Sequence, residues 1–130
     1  MQKEIIISQR DSQRIREKIM LAKSTKESHA LLNEIRKARI VEPKEIPTDV
    51  VTMNSIVQIL YSNKTIEMQI VYPEEADIQK KKVSIFAPIA TALLGYKKGD
   101  VVDWNVPGGS IQLKIVDIIY QPEASGDFHL

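Results

Sequence analysis

The sequence predicts an α+β fold: a short antiparallel coiled-coil hairpin over residues 1–46, then a twisted, mostly antiparallel sheet with one short helix over 47–130. Three observations predict it. Apolar residues recur at helical spacing before Pro43 and at a spacing of two after Pro47. A polar segment, Ala22 to Ser28, interrupts the helical half with fresh capping residues. Later, Pro88 and Gly95 bracket a single helix-sized run, proline at its first turn and glycine past its end.

The first helix opens at Ser8, an N-cap residue, with Asp11 three positions on, where a carboxylate favours the positive helix end. Ile15, Ile19 and Ala22 form its apolar stripe. Ser24 and Glu27 match a second capping box that restarts the helix in a new direction. Leu31, Leu32, Ile35 and Ala38 form the second stripe, and Pro43 closes the helix. Each helix is expected to hold about 14–16 residues, a finger roughly 20–24 Å long. Helices this short are marginal alone, so the stripes must pack on each other and on the body.

Pro43 and Pro47 bracket a short stiff linker. Val51, Met53, Val57 and Ile59 then alternate, as do Ile66, Met68, Ile70 and Tyr72, with Ser62-Asn63-Lys64 as the turn of a β-hairpin. A short strand is expected over Val83 to Phe86, and another carries Val102, Trp104 and Val106. After the turn at 107–110, Ile111, Leu113 and Ile115 alternate in one phase and Val116, Ile118 and Tyr120 in the other. That slip predicts a β-bulge at Ile115-Val116. The tail, Gln121 to Leu130, is polar with small residues.

Composition narrows the function. At 130 residues, 43% hydrophobic and 27% charged, the chain is long enough for one domain, or a small domain with an appendage, and is globular in composition. No apolar run approaches the roughly 20 residues needed to span a bilayer. Residues 1–7 carry charge without a long apolar stretch, which argues against a signal peptide. No cysteine is present, so disulfides and thiol chemistry are excluded and a cytoplasmic setting is expected. Residues 1–46 carry eleven Lys/Arg against seven Asp/Glu, and residues 47–130 carry seven against ten. A mildly basic finger on a mildly acidic body argues against dedicated duplex binding and permits docking on a protein of mixed charge.

Catalytic patterns are missing. His29 and His129 read as surface residues, since no cysteine joins them and no metal-ligand spacing is present. The turn at Pro107-Gly108-Gly109-Ser110 lacks the Lys-Ser/Thr of a phosphate loop. Glu74, Glu75 and Asp77 could hold a hard cation weakly but read as a solvated loop, as do Lys80, Lys81 and Lys82. Nothing assembles a nucleophile, base and oxyanion hole, so no cofactor and no catalytic residues are expected.

Several separate motifs carry a resemblance. They are Asp49-Val50-Val51-Thr52-Met53-Asn54-Ser55, then Ile70 through Asp77, Val83 through Gly95, Lys98-Gly99-Asp100, and Pro107-Gly108-Gly109. In this order and spacing they resemble the C-terminal domain of the bacterial transcript-cleavage factors, the Gre family. The ending, Tyr120 through Leu130, is similar to that of its Rnk branch, named as regulators of nucleoside diphosphate kinase. The resemblance implies an FKBP-like domain that docks on the largest-subunit coiled coil of RNA polymerase, at the rim of the secondary channel. Docking residues carried over by position are Phe86, Ala87, Pro88 and Ile89. Relatives often have a polar or acidic residue where Phe86 and Ala87 stand, and Pro88 also fits the first position of a helix.

In Gre factors a pair of acids at the coiled-coil tip helps bind a magnesium ion. Here the tip is Lys23, Ser24, Thr25, Lys26 and Glu27, with one carboxylate and two lysines that repel an added cation. The expectation is therefore a polymerase-binding modulator without transcript cleavage. The alternative is a regulator acting on nucleoside diphosphate kinase by direct contact. An FKBP-like fold also invites prolyl isomerase activity, but aromatic residues are only 5% of the chain and would line such a pocket thinly. Neither membrane binding nor sequence-specific DNA binding is expected.

Overall fold

The computed structural model describes residues 4–22, 24–106, 108–128 and 130, with side chains at 105 and 106 left aside. The chain runs β1 (Ile6–Ser8), α1 (Gln9–Leu21), α2 (Lys26–Lys37), β2 (Arg39–Val41), β3 (Ile56–Tyr61), β4 (Lys64–Val71), β5 (Lys82–Ser84), α3 (Pro88–Leu93), β6 (Val101–Val106) and β7 (Gly109–Tyr120). Short 3₁₀ turns lie at Pro43–Glu45, Pro73–Glu75 and Ile78–Lys80.

The helical hairpin is present, with helices of 13 and 12 residues, a little shorter than the spacing predicts. Ser8 caps α1 as expected, its Oγ accepting the Asp11 N–H at 3.0 Å. The cap of α2 differs from the prediction. Thr25, not Ser24, is the N-cap, and Ser28 closes the box, with Thr25 Oγ1 accepting the Ser28 N–H at 3.1 Å and Ser28 Oγ accepting the Thr25 N–H at 3.0 Å. Serine is short enough to fold back within one turn, so it fills the position usually held by Glu or Gln. Glu27 is left exposed, and Ser24 Oγ instead bonds His29 Nε2 at 2.8 Å. Thr25→Ala is expected to cost about 1 kcal/mol and Ser24→Ala almost nothing, read by urea unfolding; equal losses would restore Ser24 as the cap.

The base of the hairpin is tied by a feature the periodicity does not reveal. β1 and β2 pair in parallel, Ile6 opposite Arg39 and Ser8 opposite Val41, so the two helices form a crossover between two three-residue strands. The inner face of the hairpin buries Ile15, Leu31 and Ile35 completely or nearly so. Ile19 is half-buried, whereas Ala22 is exposed.

The main sheet has the order β5-β4-β3-β7-β6. Three of its pairings are antiparallel and β4–β5 is parallel, a mostly antiparallel sheet with one parallel edge strand. β3 and β4 are joined by Ser62-Asn63, both at positive φ (47° and 63°), the mirror-type turn that matches strand twist. Val51 and Met53, predicted as strand, lie instead in a fully buried irregular segment before β3. The short strand predicted over Val83 to Phe86 starts at Lys82 and stops at Ser84. The predicted bulge is found: Gln58 faces Asp117 and Ile59 faces Ile115, so Val116 is the inserted residue.

One apolar cluster joins both parts of the molecule. Ile5, Ile7, Ile15, Leu31 and Ile35 pack with Val57, Ile59, Ile70, Leu93, Leu113 and Ile115. The polar tail is tied down as well. Gln121 is buried and its Nε2 donates to the carbonyls of Pro47 and Val50 at 2.8 and 2.7 Å, which fixes the linker.

Candidate functional site

The loop from β5 to α3 presents the residues carried over by position. Ser84 Oγ accepts the Phe86 N–H at 3.1 Å, and the Ser84 carbonyl accepts the Ala87 N–H at 2.9 Å. Thr91 Oγ1 donates to the Ile85 carbonyl at 2.7 Å. The loop is thus held from both sides, and Pro88 starts α3 with its φ already set for a helix.

The four candidates separate. Phe86 is half-buried and Pro88 exposed, and both line an open cleft of about 840 Å³. Ala87, the N-cap residue of α3, and Ile89, packed against the core, do not line it. The opposite wall is α2, which contributes Lys26, Glu27, Ala30 and Glu34. β6 and the turn before it supply Tyr96, Val102, Asp103 and Trp104. Two of the five tip candidates, Lys26 and Glu27, therefore face this cleft, whereas Ser24 and Thr25 do not line it. Lys23 lies outside the described residues, as does His129.

Trp104 is fixed by an edge-to-face contact with Tyr61, ring centroids 6.3 Å apart. Its indole Nε1 is buried without an acceptor among the described residues. No motif in the sequence points to Glu34, Tyr96, Asp103 or Trp104 as lining residues. The spacing of Lys26, Ala30 and Glu34 puts them on one helix face, but only the docking of α2 beside α3 decides what that face meets.

The acidic stretch 74–77 is used structurally. Glu74 pairs with Lys18 of α1 at 2.7 Å, and this contact holds its carboxyl below the usual range. Asp77 Oδ1 accepts the Gln79 N–H at 3.1 Å. No group of three or more His, Cys, Asp or Glu capable of holding a metal ion is found among the described residues.

A second polar centre joins hairpin to body. Asp11 is buried, and its Oδ2 accepts the Met53 N–H at 3.2 Å while its Oδ1 accepts from Arg14 at 3.2 Å. The Arg14 guanidinium lies 5.0 Å from the centre of the Tyr72 ring. Glu123 arrives from the tail, bonded by Thr52 Oγ1 at 2.8 Å. Burial, and then the nearby Glu123 carboxylate, push Asp11 up to about 6.

Residues 45–120 match the family described as the C-terminal region of the transcription elongation factors GreA/GreB. The chain belongs to the GreA/GreB family. It is 39% identical over 104 residues to the "Regulator of nucleoside diphosphate kinase" of Escherichia coli strain K12, covering 78% of this chain and 76% of that protein. It is 38% identical over 90 residues to the transcription elongation factor GreA of Clostridium perfringens, covering 68% of this chain but 57% of that factor. A solved GreA/GreB-family elongation factor from Nitrosomonas europaea superposes with a TM-score of 0.76 at 36% identity, covering 92% of this chain and all of that one. As a GreA/GreB-family protein with a regulator among its relatives, this chain is similar to transcription factors and regulators, and the helical hairpin followed by a mixed sheet is the shared fold.

Proposed function

We propose that this chain modulates transcription by docking on RNA polymerase at the rim of the secondary channel, without cleaving the transcript. In this reading residues 47–130 form an FKBP-like docking body, and Phe86, Ala87, Pro88 and Ile89 make the contact. Residues 1–46 form an arm reaching toward the channel mouth. One observation carries the docking half: Phe86 and Pro88 face a solvent-open cleft on a loop tied to its own strand. Apolar side chains held in this way suit an interface anchor.

The tip supports the absence of cleavage. Of its described residues Glu27 alone is acidic, and it lines the cleft beside Lys26. A divalent cation needs several hard oxygen ligands, and one carboxylate beside an ammonium is a poor start.

The test is co-migration of the purified chain with core RNA polymerase, followed by challenge with excess Gre factor. Wild type is expected to bind and be displaced. Phe86→Asp is expected to weaken binding at least tenfold, since it places a charge in an apolar contact. Failure of wild type to bind at micromolar concentration would sink the docking reading. A second reading rests on the 39% identical relative named a regulator of nucleoside diphosphate kinase. It predicts a changed turnover when the pure kinase and this chain are mixed without polymerase.

A further inference from the structure

We infer that the cleft between α2 and the α3–β6 edge grips a basic, amphipathic protein segment, held by the hairpin arm and the body together. This rests on the polymerase-docking reading and names the chemistry of the partner segment. The lining charges carry the argument. α2 contributes Glu27 and Glu34, seven residues apart on one helix face with Ala30 between them, and β6 contributes Asp103 across the gap. Lys26 is the one cation among the described lining residues. None of the three carboxylates has an ion-pair partner among the described residues.

Three carboxylates elsewhere are ion-paired. Asp11 meets Arg14, Glu74 meets Lys18 and Asp117 meets Lys98. The cleft lining thus sets three carboxylates beside the apolar side chains of Phe86, Pro88 and Trp104. Such a site favours an apolar side chain flanked by Lys or Arg, and it repels nucleic-acid phosphates. A volume of about 840 Å³ admits a few side chains, within the roughly 300–1,000 Å³ common for binding clefts. A segment seated there touches α2 and β6 at once, so binding also sets the angle of the arm relative to the body.

The experiment titrates full-length variants against core RNA polymerase and reads the dissociation constant at low and moderate salt. Glu34→Lys and Asp103→Lys are each expected to weaken binding roughly tenfold, because each loses an attraction and adds a repulsion. Lys26→Glu is expected to tighten binding a few-fold, a gain that misfolding cannot mimic. Raising salt from about 50 to about 300 mM shortens the screening length, so it should weaken wild type more than the Glu34→Lys/Asp103→Lys double variant. If Phe86→Asp loses binding while the three charge variants match wild type, the basic-segment inference falls and the docking reading stands. If Phe86→Asp binds like wild type, the docking reading falls and this inference with it.

Discussion

Gly95→Ala is expected to destabilise the protein by roughly 2–5 kcal/mol, combining a left-handed backbone penalty of about 1–2 kcal/mol with an overpacking cost of about 1–3 kcal/mol. Gly95 lies just past α3 with φ of +85°, where an L side chain is strained. A β-carbon there would sit 2.7 Å from Ile5 Cβ and 3.2 Å from the backbone N and O of Ile6. These neighbours have little room to retreat. The Ile6 N–H donates to the Gly95 carbonyl at 3.1 Å, the Gly95 N–H donates to Val51 at 2.9 Å, and the Ile5 carbonyl accepts from Arg39 at 2.8 Å. The glycine is the point where the base of the hairpin crosses the body. Gly99→Ala is the comparison: φ is +92°, but nothing lies within 4 Å of its added carbon, so only the backbone cost of about 1–2 kcal/mol applies. Urea unfolding of both variants checks this. Equal losses would show that the contact with Ile5 and Ile6 is relieved at no cost.

Which parts of this fold can be read from sequence follows from how local the determining contacts are. Ser8 caps α1 through a bond to a residue three positions away, and the bulge at Val116 shows as a change of alternation within one strand. Both signals sit in a few consecutive residues. The β1–β2 ladder pairs Ile6 with Arg39 and has only three residues on each side, too few to display a period. Val51 and Met53 alternate like a strand because both are buried, yet their segment is tied to a turn and to the tail instead of a ladder. Thr52 and Ser55 bond each other at 2.8 Å, and Glu123 accepts from Thr52. Alternating burial is a property of environment, and a strand is one of several ways to obtain it.

The candidate site divides in the same way. Of the four residues carried over by position, Phe86 and Pro88 line the cleft and Ala87 and Ile89 do not. Glu34 and Asp103 belong to its rim only because α2 docks beside α3 and β6, a contact between residues far apart in the chain. Asp11 is the sharpest case. As a residue in the first turn of α1 it reads as a carboxylate favouring the positive helix end, but it is also 2% exposed and bonds the Met53 amide of the body. Its position in sequence explains why a carboxylate is tolerated there, and its tertiary partners explain why it is buried.

That burial predicts an unusual pH dependence. Asp11 rises from 3.8 to about 6, first because burial penalises its charge and then because Glu123 repels it; the Met53 amide and Arg14 oppose the shift without cancelling it. Arg14 is itself shared with the Tyr72 ring, and burial together with the Asp11 charge pushes the Tyr72 hydroxyl up as well. The folded chain therefore holds the Asp11 proton more tightly than the unfolded chain. Between about pH 4 and pH 6 the native state binds more protons, so stability falls as pH rises through this window, by about 3 kcal/mol from this group at full ionisation. Glu74, held low by Lys18, acts in the opposite sense, so the comparison must be made between variants. Glu123→Gln keeps an oxygen for the Thr52 hydroxyl but removes the repulsion. It is expected to gain roughly 1 kcal/mol over wild type at pH 7, with the gain vanishing by about pH 4, where Asp11 is protonated and carries no charge to repel. Urea unfolding of wild type and Glu123→Gln at unit steps from pH 4 to 7 measures this. A gain of the same size at every pH would assign the effect to packing of the tail and remove Asp11 from the account.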